Sequence, residues 1–140
     1  MSNRQFAEEF FERLKDKLLS RDMFKGIPQW MCNNTRIKGK PWSFYEHEFQ
    51  IDIVGSNANN LWVKKSSQVG LSESTIRMLL CFLAMQQEST GIFVLPHSNK
   101  VRNFSKARVD PIITNSPKLK SLVVNGANSV ELKIDRKSVV

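Results

Sequence analysis

Residues 64–73 read KKSSQVGLSE. They follow an apolar run, Leu61-Trp62-Val63, and lead into a stretch with apolar residues at helical spacing. A strand, a small polar turn with one glycine, and a hydroxyl residue opening a helix form the shape that cradles phosphate. Backbone N–H groups and the positive end of the helix dipole there face an anion. The standard pattern is G-x-x-x-x-G-K-[ST], with the lysine directly after the second glycine. Here Lys65 through Ser72 keep that glycine, Gly70, and the final hydroxyl, Ser72. Leu71 stands where the lysine is usual, and Lys65 where the first glycine is usual. An ammonium on a flexible stem needs a position more than a fixed orientation. Lys65 can therefore fold across the loop toward the phosphates, whereas Lys64 falls on the alternate strand face. The competing reading is an ordinary strand-to-helix turn.

The flanks fit the first reading. Residues 72–87 carry Ile76, Leu79, Leu80, Leu83 and Ala84 on one face, with Glu73 placed to complement the dipole. GIFVL (91–95), bounded by Gly91 and Pro96, has the length and continuity of a buried parallel strand. A second helix is expected over 99–109, halted by Pro111, and the end shows two β-like runs around Asn125-Gly126. Upstream, Phe6, Phe10, Leu14 and Leu18 form the apolar stripe of a helix over 3–23. Gly26, Pro28, Asn33-Asn34, Gly39 and Pro41 predict an irregular segment over 24–48; residues 47–54 read as a short helix and 60–65 as a short strand. The alternation predicts an α/β fold in which helices flank a parallel sheet, with an N-terminal helix set apart. Two units are expected, 1–27 and 28–140.

The whole chain has 140 residues, enough for one domain with a real core, and 41% hydrophobic and 24% charged residues, as in ordinary globular proteins. Its 21 Lys and Arg against 13 Asp and Glu leave a net charge of +8, which favours a polyanionic partner such as nucleic acid. Cys32 and Cys81 have no Cys or His at metal-ligand spacing and read as free thiols, Cys81 in the core. His47 and His97 likewise lack Ser or Cys partners at a recognisable spacing. With no apolar stretch of membrane-span length, a cytoplasmic protein is expected.

VKKSSQVGLSES resembles the deviant phosphate loop of large terminase subunits, the ATP-driven motors that package DNA into tailed-phage heads. KPWSFYEHEFQ (40–50) looks like that family's aromatic approach to the nucleotide, and residues 91–119 resemble its second strand and following helix. The similarity spans roughly residues 28–135. It implies a P-loop NTPase-like domain of which this chain is the first half. It also implies ATP and Mg²⁺ as cofactors, with double-stranded DNA, the small terminase subunit and the portal protein as partners in the host cytoplasm. By that resemblance Lys65 contacts the β and γ phosphates and Gly70 admits the backbone to them. Ser72 holds Mg²⁺ through its hydroxyl, and Ser66, Ser67, Gln68, Val69 and Leu71 complete the cradle with main-chain N–H groups. Gln50 is a candidate adenine reader, because an amide pairs a donor and an acceptor. Arg108 reads as a surface ion pair, or else as a sensor of phosphate or DNA.

The chain departs from the family in one respect that concerns catalysis. Such motors hold Mg²⁺ and activate water with an Asp-Glu pair after four apolar residues, and no such block occurs in the 140 residues. Nor do the carboxylates of the family's nuclease domain occur. A chain that binds ATP and hydrolyses it poorly on its own is the expectation. Two other readings stay open on sequence grounds: a helicase-type ATPase fragment, and a non-catalytic basic protein that binds nucleic acid or docks a partner.

Overall fold

The computed structural model describes residue 5 and residues 24–86 and 89–124. Apart from residue 5, the helix expected over 3–23 lies outside the described residues, as does the Asn125-Gly126 turn. Helical residues 24–34 (α1) lead into a hairpin of β1 (Arg36–Ile37) and β2 (Lys40–Pro41). Next come α2 (Phe49–Val54), α3 (Leu71–Met85) and α4 (Ser98–Phe104). A π-helical turn (Ser105–Val109), α5 (Asp110–Asn115) and α6 (Pro117–Leu122) complete the order.

Helix α1 occupies ground where the sequence predicts an irregular segment, and the reason is burial. Ile27 and Met31 are fully buried one turn apart, and Phe24 stacks on Phe82 of α3 with ring centroids 5.4 Å apart. An apolar face at i, i+3 and i+7 outweighs the intrinsic cost of Gly26 and Pro28. Side chains close the end of the helix: Thr35 Oγ1 donates to the Met31 carbonyl at 2.7 Å and Asn34 Nδ2 to that of Trp30 at 3.1 Å. Residues 27 and 28, on either side of the expected unit boundary, lie in this one helix.

The hairpin pairs Arg36 with Pro41 and Ile37 with Lys40, antiparallel. Its two-residue turn puts Lys38 at φ 48° and Gly39 at φ 79°, the left-handed pair that matches the twist of a tight hairpin. It is the one ladder among the described residues; the parallel sheet does not appear there. Residues 61–66 and 91–95 carry no strand pairing. In the second run Phe93 stacks on Phe104 at 5.1 Å, yet Ile92 and Val94 are each 81% exposed. One face is covered, where a buried parallel strand needs two.

The expected helix over 72–87 is present as α3, and the short helix over 47–54 as α2. Pro111 does not halt the second helix. It sits in the first turn of α5, where a missing N–H costs nothing, and the π-helical turn just before it absorbs the change of register. The first β-like run at the C-terminal end begins inside α6, at Ser121 and Leu122. Two apolar clusters meet at α3. Ile76, Leu80 and Ala84 pack with Ile112, Leu119 and Leu122, while Cys81 packs with Ile27, Met31, Phe44 and Val54.

Burial raises the Cys81 thiol well above its ordinary range, an effect only partly offset by the positive charge of Arg77. Three outcomes follow from this packing. Met31→Ala costs about 2–5 kcal/mol in urea unfolding, whereas Trp62→Ser, at a side chain 94% exposed, stays within about 0.5 kcal/mol. The folded thiol resists ionisation while the unfolded one ionises near 9.0, so its contribution is complete below that pH and declines above it. Cys81→Ala therefore flattens the alkaline limb of stability against pH.

Candidate functional site

The loop from Lys65 to Gly70 enters α3 through two left-handed residues, Gln68 at φ 58° and Gly70 at φ 72°. Gly70 is the N-cap of α3 and no side chain caps the helix. The first-turn amides of a helix have no carbonyl before them within the helix. Left uncapped, they form the anion-facing end of a 15-residue helix. Lys65 and Ser72 are both exposed, and Lys65 Nζ donates to the carbonyl of the next residue, Ser66, at 3.2 Å. Ser66, Ser67 and Gln68 are exposed, Val69 is half-buried, and Leu71 is buried, anchoring the helix start. Lys64 is exposed beside Lys65.

Gln50 is 1% exposed, and both ends of its amide are engaged. Nε2 donates to the Val69 carbonyl at 2.7 Å, and Oε1 accepts from the Ser74 hydroxyl. Ser74, itself fully buried, also approaches the Gly70 carbonyl at 3.4 Å. The amide thus links α2 to the loop and to the first turn of α3. In this arrangement it holds the cradle's shape, a role that the spacing in the sequence does not signal.

Glu73, in that same first turn, places a carboxylate near the anion-facing end, where its charge opposes a phosphate. Two guanidinium groups compensate it: Arg77 Nη2 at 3.1 Å and Arg108 Nη1 at 3.5 Å. The surface ion pair expected for Arg108 is thereby found. Arg77 is 1% exposed and is the site residue that sequence reading missed. Its guanidinium lies over the Trp42 ring, 4.4 Å from the centroid, and Nη2 donates to the Arg36 carbonyl at 3.2 Å. Burial pulls the Arg77 pKa down from its ordinary value, opposed by Glu73. An arginine one turn after Glu73 was a legible i, i+4 pair; its burial was not. Among the described residues no group of His, Cys, Asp and Glu could by itself hold a metal ion, and no helix is long and apolar enough to cross a membrane.

The clamp is open to a direct check. Gln50→Leu removes the donor to Val69 and the acceptor for Ser74, at an expected cost of about 1–3 kcal/mol. Hydrogen exchange of the amides of residues 66–70 should quicken more than that of α6.

Residues 42–139 match the family described as phage terminase large subunit gpA, ATPase domain. No curated protein and no solved structure matches the chain. The match spans the loop, the clamp residue Gln50 and the Arg77–Glu73 pair, and it decides among the readings that sequence left open. The chain belongs to the family of phage terminase large subunit ATPase domains, and is the ATP-binding part of a DNA-packaging motor.

Proposed function

We propose that the loop at residues 65–72 binds the triphosphate of ATP, with Lys65 as the displaced phosphate-binding lysine. One observation above all supports this: an uncapped helix start behind a left-handed glycine, with Lys65, whose ammonium bonds the neighbouring Ser66 carbonyl, at the entry of the loop. The residues present suit such a ligand. The main chain at Ser66, Ser67, Gln68, Val69, Gly70 and Leu71 supplies donors without side-chain competition at the cap, and the Glu73 charge is neutralised by Arg77 and Arg108. Mg²⁺ would be held by the Ser72 hydroxyl together with phosphate oxygens, and it supplies charge neutralisation for phosphoryl transfer. Gln50 acts in this reading as the positioning residue of the loop, through Val69 and Ser74.

The domain around this loop is read as the first half of a P-loop ATPase, in which residues 61–65 and 91–95 belong to a parallel sheet. In the motor, hydrolysis drives translocation of double-stranded DNA, and the small terminase subunit and the portal are its protein partners in the host cytoplasm. The surplus of eight positive charges suits a salt-dependent, sequence-independent hold on DNA phosphates. Activation of the attacking water requires a carboxylate after an apolar run, and the 140 residues hold no Asp-Glu pair in such a place.

Binding and turnover therefore separate. With Mg²⁺ and a non-hydrolysable ATP analogue at about a hundred times Kd, the chain gains about 2.7 kcal/mol of stability, read as a rise in unfolding midpoint. Lys65→Ala removes that gain, Lys64→Ala keeps it, and Ser72→Ala makes it independent of Mg²⁺. Phosphate release from ATP stays at the level of a protein-free control. A stabilisation indifferent to Lys65→Ala, or turnover at a motor-like rate, contradicts the proposal.

A further inference from the structure

The β1–β2 hairpin, the N-terminal half of α3, and the π-helical turn with α5 enclose an open cleft of about 630 Å³. Of the loop residues only Gly70 lines it. The charge facing it is lopsided. Arg36, Lys38, Lys40, Arg77 and Arg108 line the cleft with a single carboxylate, that of Glu73, and with His47. Arg77 and Arg108 already share the Glu73 charge. The three cations of the hairpin therefore find no counter-ion within the cleft.

The floor of the cleft gives the second, independent indication. Arg77 is 1% exposed, yet among the described residues its Nε and Nη1 have no hydrogen-bond partner, and neither has the buried Nε1 of Trp42. A guanidinium offers five N–H donors, and the recorded partners, Glu73 and the Arg36 carbonyl, are both met by Nη2. Leaving a buried donor unpaired costs more than a typical hydrogen bond contributes, and a charged donor costs the most. Stacked against Trp42, the guanidinium is held in place, so its free donors are fixed before any ligand arrives.

We propose that this cleft is a second oxyanion site, which takes a phosphate group onto the buried Arg77 donors beneath the cationic hairpin, apart from the loop at 65–72. Phosphate suits it better than a lone carboxylate, because a tetrahedral group with up to four oxygens can meet the floor and the hairpin rim together. The hairpin's left-handed turn at Lys38-Gly39 sets Lys38 and Lys40 on either side of Gly39 at the rim. The phosphate comes either from a nucleic-acid backbone or from a small free phosphate, and the chemistry of recognition is the same.

The test measures the unfolding midpoint of the 140-residue chain in inorganic phosphate against chloride at equal ionic strength. Phosphate is expected to raise the midpoint by about 3 °C. The double variant Lys38→Gln, Lys40→Gln alters only exposed side chains and should fold normally. It is expected to lose at least half of that rise, leaving the part that phosphate confers on any protein by surface exclusion. Arg77→Lys should lose the specific part entirely. If that variant fails to fold, the hairpin variant still decides. Lys65→Ala should keep the part of the rise that the hairpin variant lacks, so that failure here and failure of the nucleotide reading are told apart. A rise no larger than in the hairpin variant, or a hairpin-dependent part that is lost on Lys65→Ala, overturns the proposal. A short oligothymidylate followed by fluorescence anisotropy separates the sources. Binding that inorganic phosphate displaces and the hairpin variant lacks assigns a nucleic-acid backbone; specific phosphate stabilisation without oligonucleotide binding assigns a free phosphate group.

Discussion

The burial of α3 on two sides governs what the rest of the structure can do. Ile76, Leu80 and Ala84 face one apolar cluster and Cys81 faces the other, so little of the helix is left for water. A helix enclosed in this way cannot carry polar side chains unless each one finds a partner. Ser74 and Arg77 lie on it, both at 1% exposure or less. Ser74 answers the constraint by bonding Gln50. Arg77 answers it with Glu73, the Arg36 carbonyl and the face of Trp42. These two answers tie α2 and the hairpin to the first turns of α3, and the loop at 65–70 is shaped by the first of them.

The geometry of the loop follows from that linkage more than from its own sequence. Gln68 at φ 58° is a residue with a side chain in a conformation that favours glycine, a strain of the kind that persists only where the surroundings determine it. The surroundings here are the bond from Gln50 to the Val69 carbonyl and the glycine N-cap that follows. Glu73 fits the same account. Near a phosphate its charge is unfavourable, yet it is the partner that allows Arg77 to be buried, and Arg108 from the π-helical turn removes the remainder. Irregularity in α4–α5 thus has a place in the site: the π-helical turn carries Arg108 and ends where α5 begins at Asp110, with Pro111 in its first turn.

Much of this was legible in residue types and spacing. Helix α3 was evident from Ile76, Leu79, Leu80, Leu83 and Ala84, because its apolar period is long and unbroken. The loop was evident from Gly70 and Ser72. Helix α1 was not, since Gly26 and Pro28 are locally unfavourable and only contact with α3 overrides them. The hairpin was missed because its strands are only two residues long and exposed, and its single signal is the Lys38-Gly39 turn. Gln50 was read as a candidate adenine reader, whereas both ends of its amide are taken up by Val69 and Ser74, bonds that depend on folding across 19 and 24 residues. Distances of that kind have no trace in local pattern.

The apolar runs around the loop separate two requirements that a nucleotide motor combines. Leu61, Trp62 and Val63 are exposed, as are Ile92 and Val94, although β-branched and aromatic runs of this length are suited to a sheet. The cradle nevertheless keeps its form, because its anchors are Gln50, Ser74 and the buried Leu71 rather than a ladder through residues 61–66. Holding a triphosphate needs donors fixed at one helix start, and such donors are supplied by neighbours in the fold. Hydrolysing it needs in addition a carboxylate at the end of an adjacent strand, and that requires a formed sheet. In the proposed reading, binding rests on α2, the loop and α3, and turnover on the sheet. The two can be lost, and measured, independently.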